Sequence, residues 1–370
     1  MSTNPEILRS SNPQIPRILL VRLRQIGDVV FTTPAIRAIR TTFPAAHLSY
    51  VVEPAALPIV EHNPHLDEVI VAHRLRGVAG LRADFGLIRM LRAGRYDVAI
   101  DFHGGPRASL LTWLSGARRR IGYDVVGRGW MYTERVSRPR DLRPRHSVQN
   151  QFDLLAPLGI GPADPATAPV EMVAGKEAGR RVLERLRSEG VPAEARLIVI
   201  HVSSNSPFRR WPAESFAAAI ADLAGSAEDR RIVVTAGPSE AGAAERIVAG
   251  ARARLNGAAA ERVLRCGEFS LAELRALVDA AALYIGGDSG PLHIAAASRV
   301  PIVALYGPTL PIRSHPWRSS SIPSEAVDAG DLPCRPCDQR VCAPGDFRCL
   351  TGIRPDDVVH AAERLLAVRS

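Results

Sequence analysis

The chain has 370 residues, 46% hydrophobic and 23% charged, a globular balance that excludes a disordered polymer. At roughly 100–200 residues per domain, this length predicts two domains. The net charge is +9, and the whole surplus lies in residues 1–185, with 26 basic and 17 acidic side chains against 21 of each in 186–370, so the first half suits either an anionic partner or a solvated basic surface.

No apolar run reaches the roughly 18–20 residues of a bilayer span. Residues 1–16 lack the apolar core of a secretion signal, so the expected location is the cytoplasm. Short apolar runs then alternate with helical patterns, the signature of parallel sheets covered by helices. Strands are predicted at 18–22, 47–52, 68–71, 97–101 and 120–123. Helices are predicted at 29–41, around Ala108 to Leu114, and at 148–158. A Pro-, Ala- and Gly-rich stretch from 159 to 195 holds one helix, 176–189, and reads as the interdomain region. Strands follow at 197–201, 231–235, 263–265, 283–285 and 302–306, with helices after Pro212 and at 240–254, 271–280 and 291–298. The expected division is 1–175, 176–354, and a closing amphipathic helix, 355–370, free to pack back on the first lobe. Ligands of such sheets bind outside the carboxyl ends of the strands.

Four strand ends carry chemistry. In Tyr284-Ile-Gly-Gly-Asp-Ser-Gly-Pro-Leu-His293, a turn at Asp288, Ser289 and Gly290 opens a helix whose N–H groups and dipole favour phosphate, with His293 in its first turn. An ordinary capped helix explains the pattern equally well. In Ile200-His-Val-Ser-Ser-Asn-Ser-Pro-Phe-Arg-Arg-Trp-Pro212, Ser203 follows a strand, and Arg209 and Arg210 could grip a diphosphate. Solvated arginines are the plainer reading. Glu240, after Thr235-Ala-Gly-Pro-Ser, could accept ribose hydroxyls or cap its helix. Asp28, in Arg22-Leu-Arg-Gln-Ile-Gly-Asp-Val29, is a cap by position or a base for an attacking hydroxyl.

Together these segments resemble glycosyltransferase family 9, the heptosyltransferase-like enzymes of lipopolysaccharide assembly, through 22–29, Arg-Arg-Trp-Pro at 209–212, Gly-Asp-Ser-Gly-Pro-Leu-His-Ile-Ala-Ala at 287–296 and Tyr306-Gly-Pro-Thr309. The resemblance spans nearly the whole chain. It implies an α/β protein of two Rossmann-like lobes, the glycosyltransferase B fold, with acceptor on the first lobe and nucleotide sugar on the second. It also implies inverting transfer of a heptose-like sugar to a lipid-linked saccharide, with no catalytic cofactor. Asp28 matches the family's base. Ser203, Arg209, Arg210, Glu240, Asp288, Ser289, Gly290 and His293 fall on the donor side. His103, Arg107 and Ser109, in Asp101-Phe-His-Gly-Gly-Pro-Arg-Ala-Ser109, match the acceptor side, and a polar loop leading into an amphipathic helix explains them equally well. The basic half would then face lipid-linked acceptors at the inner-membrane surface, with Arg74, Arg76, Arg118, Arg119 and Arg120 as its clusters, and no nucleic-acid partner is expected.

Cys334, Cys337, Cys342 and Cys349 are spaced C-x2-C-x4-C-x6-C. Disulfides are disfavoured in a reducing compartment, and four thiolates can close a structural zinc site. An iron–sulfur cluster or free thiols are the alternatives. Cys266 reads as a core residue. Two other function classes stay open: a nucleotide-sugar-modifying enzyme, although 22–28 holds one glycine where G-x-G-x-x-G would be needed, and a non-catalytic binder of anionic ligands.

Overall fold

The computed structural model describes residues 16–137, 145–204, 206–337 and 341–367. The chain divides into two compact units, Met1–Met172 and Val173–Ser370.

The first unit is built on β1 (Arg17–Val21), β2 (His47–Val52), β3 (Glu68–Val71), β4 (Val98–Asp101), β5 (Arg119–Tyr123) and β6 (Glu134–Val136). All pair in parallel in the order β3-β2-β1-β4-β5-β6. Ile18, Leu19 and Leu20 are fully buried on successive positions. A strand covered on both faces needs such an unbroken apolar run. The single helix expected at 29–41 is two, Ile26–Val30 and Thr33–Thr42. The hydroxyls of Thr32 and Thr33 bond back to Val29 O and Val30 O at 2.7 and 2.8 Å, and Pro34 supplies no N–H to continue the first helix. An unanticipated helix, Gly77–Ala93, covers the sheet with Leu87 and Leu91, which pack with Val21, Val51 and Ile70.

The second unit repeats the plan with β7 (Arg196–His201), β8 (Arg230–Thr235), β9 (Val263–Leu264), β10 (Leu283–Gly287), β11 (Ile302–Tyr306) and β12 (Ser324–Asp328). Its order is β12-β11-β10-β7-β8-β9, again parallel. The closing helix, Pro355–Ala367, expected to be free to pack on the first lobe, completes the core of the second. Val358, Ala361, Ala362, Leu365 and Leu366 join Ile198, Ile200, Val303 and Leu305 there. Arg230 clamps Glu363 of this helix bidentately at 2.6 and 2.7 Å, and Trp211 Nε1 donates to Ile353 O at 3.1 Å. Among the described residues no helix is long and apolar enough to cross a membrane.

Candidate active site

In each sheet the strand order reverses between the first strand and the fourth, β1/β4 and β7/β10. Loops leaving those two strand ends in opposite directions open a crevice, the usual ligand position of doubly wound sheets. The candidate residues cluster there because the chain order puts them there.

In the first unit, Arg22 follows β1, is buried, and donates from Nη1 across the switch point to Phe102 O, just past β4. Its other nitrogen forms an ion pair with Asp28. Asp28 lies on the helix Ile26–Val30, entered through Gln25 at a left-handed φ of 67°. That helix has no side-chain cap, so capping does not account for Asp28, and its side chain keeps 40% exposure. The loop after β4 is organised by Asp101, which sequence reasoning overlooked. Asp101 Oδ1 accepts from the backbone N–H groups of His103 and Gly104 at 2.8 Å each, and Oδ2 accepts from Tyr132 at 2.6 Å and Ser109 at 3.2 Å. Burial pushes this carboxyl above its usual range against those donors. An aspartate closing the apolar run Val-Ala-Ile-Asp was the available signal, since a buried carboxylate needs partners. His103 beside it is pushed down to about 4, first by burial and then by the positive charges of Arg22 and Arg24, so its ring is neutral near pH 7.

Two residues expected on the acceptor side are engaged within the first unit. Ser109 is fully buried, with Oγ at 2.7 Å from the Tyr132 hydroxyl and 3.1 Å from Gly105 O, so it braces the loop from inside. Arg107 is held by Glu53 at 3.3 Å and Asp84 at 2.7 Å, and donates to His73 O at 2.7 Å, tying helix to loops. Of the basic cluster at 118–120, Arg119 is engaged by Glu134 at 2.7 Å, and Arg120 by Met131 O and Ala117 O at 2.8 Å each.

In the second unit, Arg209 makes the corresponding crossing. Its Nη1 lies 3.3 Å from both the backbone oxygen and Oδ2 of Asp288, just past β10. Asp288 is turned inward: it is 3% exposed, and Oδ2 accepts from Thr309 Oγ1 at 2.5 Å. A carboxylate turned inward avoids repelling a diphosphate and fixes the groups around it. His293, also buried, has Nε2 3.6 Å from Asp288 Oδ1. Ser289 Oγ donates to Gly287 O at 3.2 Å and does not cap the helix Gly290–Ala296. Arg210 pairs with buried Glu240 at 2.5 Å and donates to Ser204 O at 2.8 Å, so Glu240 anchors an arginine.

Ser203 Oγ accepts the N–H of Gly237 at 2.8 Å and lies 3.0 Å from His201 Nε2, whose Nδ1 lies 3.0 Å from Thr235 Oγ1. Burial pushes His201 down to about 4, so the ring is neutral and carries one N–H. If Thr235 donates to Nδ1, Nε2–H fills the remaining side of Ser203 and leaves the serine hydrogen for a ligand. The ionisation also makes a prediction. The unfolded chain binds a proton on this histidine below its ordinary value of about 6.5, and the folded chain refuses it until about 4. The stabilising contribution is whole above pH 6.5 and lost as pH falls toward 4, reaching roughly 3 kcal/mol. Urea melts at pH 7, 5.5 and 4.5 should show a stability loss that His201→Gln reduces; parallel curves would refute the assignment.

Among the described residues, no group of three or more His, Cys, Asp or Glu side chains is placed to hold a metal ion, so the zinc expectation for Cys334, Cys337, Cys342 and Cys349 gains no support there. Other bonds order this segment: Cys337 N donates to Pro308 O at 2.9 Å, and Arg335 binds Asp328 at 3.0 Å and Gly330 O at 2.7 Å. Burial pushes the Cys349 thiol up, and the neighbouring Cys334 and Cys342 push it further.

Two doubly wound parallel sheets, each with charged groups at its switch point, define the glycosyltransferase B class of fold. A solved family 9 glycosyltransferase from Veillonella parvula superposes with a TM-score of 0.80 at 25% identity, covering 96% of this chain and 98% of that one. The E. coli structure described as ADP-heptose lps heptosyltransferase II superposes at 0.76 and 19% identity over 95% and 99%, a likeness of fold. Lipopolysaccharide heptosyltransferase 3 of Escherichia coli is 28% identical over 93% of this chain and 97% of its own length. Residues 85–346 match the model of glycosyltransferase family 9 (heptosyltransferase), and the chain belongs to that family. It is a glycosyltransferase.

Proposed function

We propose that this chain transfers a heptose-like sugar, with inversion, from a nucleoside diphosphate to a lipid-linked saccharide of the lipopolysaccharide kind, at the cytoplasmic face of the inner membrane. The first unit takes the acceptor and the second the donor. Asp28 removes the proton of the acceptor hydroxyl, whose oxygen attacks the anomeric carbon. The bond to the nucleoside diphosphate breaks, its electron pair stays on the departing diphosphate oxygen, and the negative charge there is stabilised by Arg209, the Ser203 hydroxyl and the backbone N–H groups of the turn at 289–290. Fixed donors aimed at developing charge are usually the largest contribution to such a step. The observation carrying this reading is the paired crossing of the switch points: Arg22 holds an exposed carboxylate in one unit, and Arg209 is held by an inward carboxylate in the other. The relatives named as lipopolysaccharide heptosyltransferases support the choice of sugar and acceptor.

The test is a thermal-shift screen with ADP, UDP, GDP and NAD. One nucleoside diphosphate, ADP on this reading, should raise the melting temperature; a response to NAD alone would favour a dehydrogenase.

A further inference from the structure

The helix Gly77–Ala93 is apolar on two opposite faces. At 100° per residue, Gly80, Leu87 and Leu91 form the stripe that meets the sheet. On the far side, Val78, Leu81 and Phe85 stand at i, i+3 and i+7, with exposures of 65%, 73% and 64%. Nothing in the folding of the first unit requires them there. Arg82, Arg89 and Arg92 lie on the same outer arc, and all three are exposed. Residues 74–95 hold six arginines against one acid, Asp84, which is already paired with Arg107. The neighbouring helix, Pro106–Leu114, packs against this one and exposes Leu110 and Trp113. Trp113 stacks edge-to-face on Trp130, itself 61% exposed, with ring centroids 5.1 Å apart. Three adjacent elements thus present aliphatic side chains, two tryptophans and arginines to solvent.

We infer that this surface docks the chain flat on an anionic lipid bilayer, with Val78, Leu81 and Phe85 entering the boundary between headgroups and acyl chains. Helices lying in that boundary combine an apolar stripe with flanking basic residues, and anionic headgroups attract the latter. Exposed tryptophans suit the same depth, where one part of the ring is apolar and its N–H stays wet. A second copy fits this surface poorly. A twofold contact would bring the same patch against itself, setting arginine against arginine, whereas the cores of protein interfaces are depleted of charge. The inference rests on this helix and not on the transfer reaction, so its failure would leave the proposed activity standing.

The experiment is sedimentation of the purified full chain with vesicles of phosphatidylcholine alone or mixed equally with phosphatidylglycerol, without donor or acceptor. Binding is expected to the mixed vesicles, weakened by salt, and much less to phosphatidylcholine. The triple change Val78→Ser, Leu81→Ser, Phe85→Ser should lower partitioning by more than about tenfold. Arg82→Gln, Arg89→Gln, Arg92→Gln should lower it and flatten the salt dependence. Melting temperature should hold in both, because all six side chains are exposed. Vesicles should also shift the tryptophan emission of the parent to the blue, and Trp113→Phe with Trp130→Phe should abolish that shift, since Trp211 and Trp317 are buried. Undiminished vesicle binding by the serine variant would overturn the inference. So would a parent chain that ignores anionic vesicles, or a parent dimer that the serine variant dissociates.

Discussion

Asp28→Asn should lower turnover by roughly 100- to 10,000-fold, the usual contribution of a general base, while leaving ADP binding unchanged. The split follows from placement. Asp28 belongs to the first unit, and every residue assigned to the donor belongs to the second. Asparagine is the informative replacement because it keeps the shape and an oxygen for Arg22. Alanine would strip a buried guanidinium of its ion-pair partner and mix a folding defect with a chemical one. Rates at saturating donor, with calorimetric ADP affinity alongside, separate the outcomes. A variant that turns over within a few-fold of the parent would mean that Asp28 only anchors Arg22.

The sheets were readable because their strands are continuous apolar runs: 47–52, 68–71 and 302–306 coincide with β2, β3 and β11. Two of the four edge strands, β6 and β12, were missed for the opposite reason. Glu134-Arg-Val136 and Ser324-Glu-Ala-Val-Asp328 are short and charged, as edges that resist pairing with other chains tend to be. The helix Gly77–Ala93 escaped because Gly77, Gly80 and Gly86 lower its propensity and its second apolar face blurs the 3.6-residue period. Sequence placed the candidate residues at strand ends but could not orient their side chains. Asp288 and Ser109 look like ligand contacts in a string of polar residues, and the fold turns both inward. Direction depends on what waits behind each side chain: Thr309 for one, Asp101 and Tyr132 for the other. Thr309 and Tyr132 lie more than twenty residues from the side chains they hold, so no local pattern announces them.

Asp288 therefore makes the second large prediction. It sits where Arg209, Thr309 and His293 converge, yet it acts through them. Asp288→Asn removes the charge opposite Arg209 and puts an amide where an oxygen now accepts from Thr309. Losing one partner of a fully buried ion pair costs about 3–5 kcal/mol; Arg209 is 40% exposed, so water recovers part of it. About 2 kcal/mol remains, which for a unit of this size lowers the melting temperature by roughly 4–8 °C. Donor affinity should fall by more than about tenfold, because a guanidinium free to wander no longer awaits the diphosphate. Thr309→Val deletes only the hydroxyl and should cost about 1 kcal/mol, with a smaller effect on the donor. The decisive comparison uses Arg209→Ala. If Asp288 works by holding that arginine, adding Asp288→Asn to Arg209→Ala should cost little further ADP affinity, although stability still drops. Additive losses of affinity would mean that Asp288 meets the donor directly and that its inward orientation changes on binding.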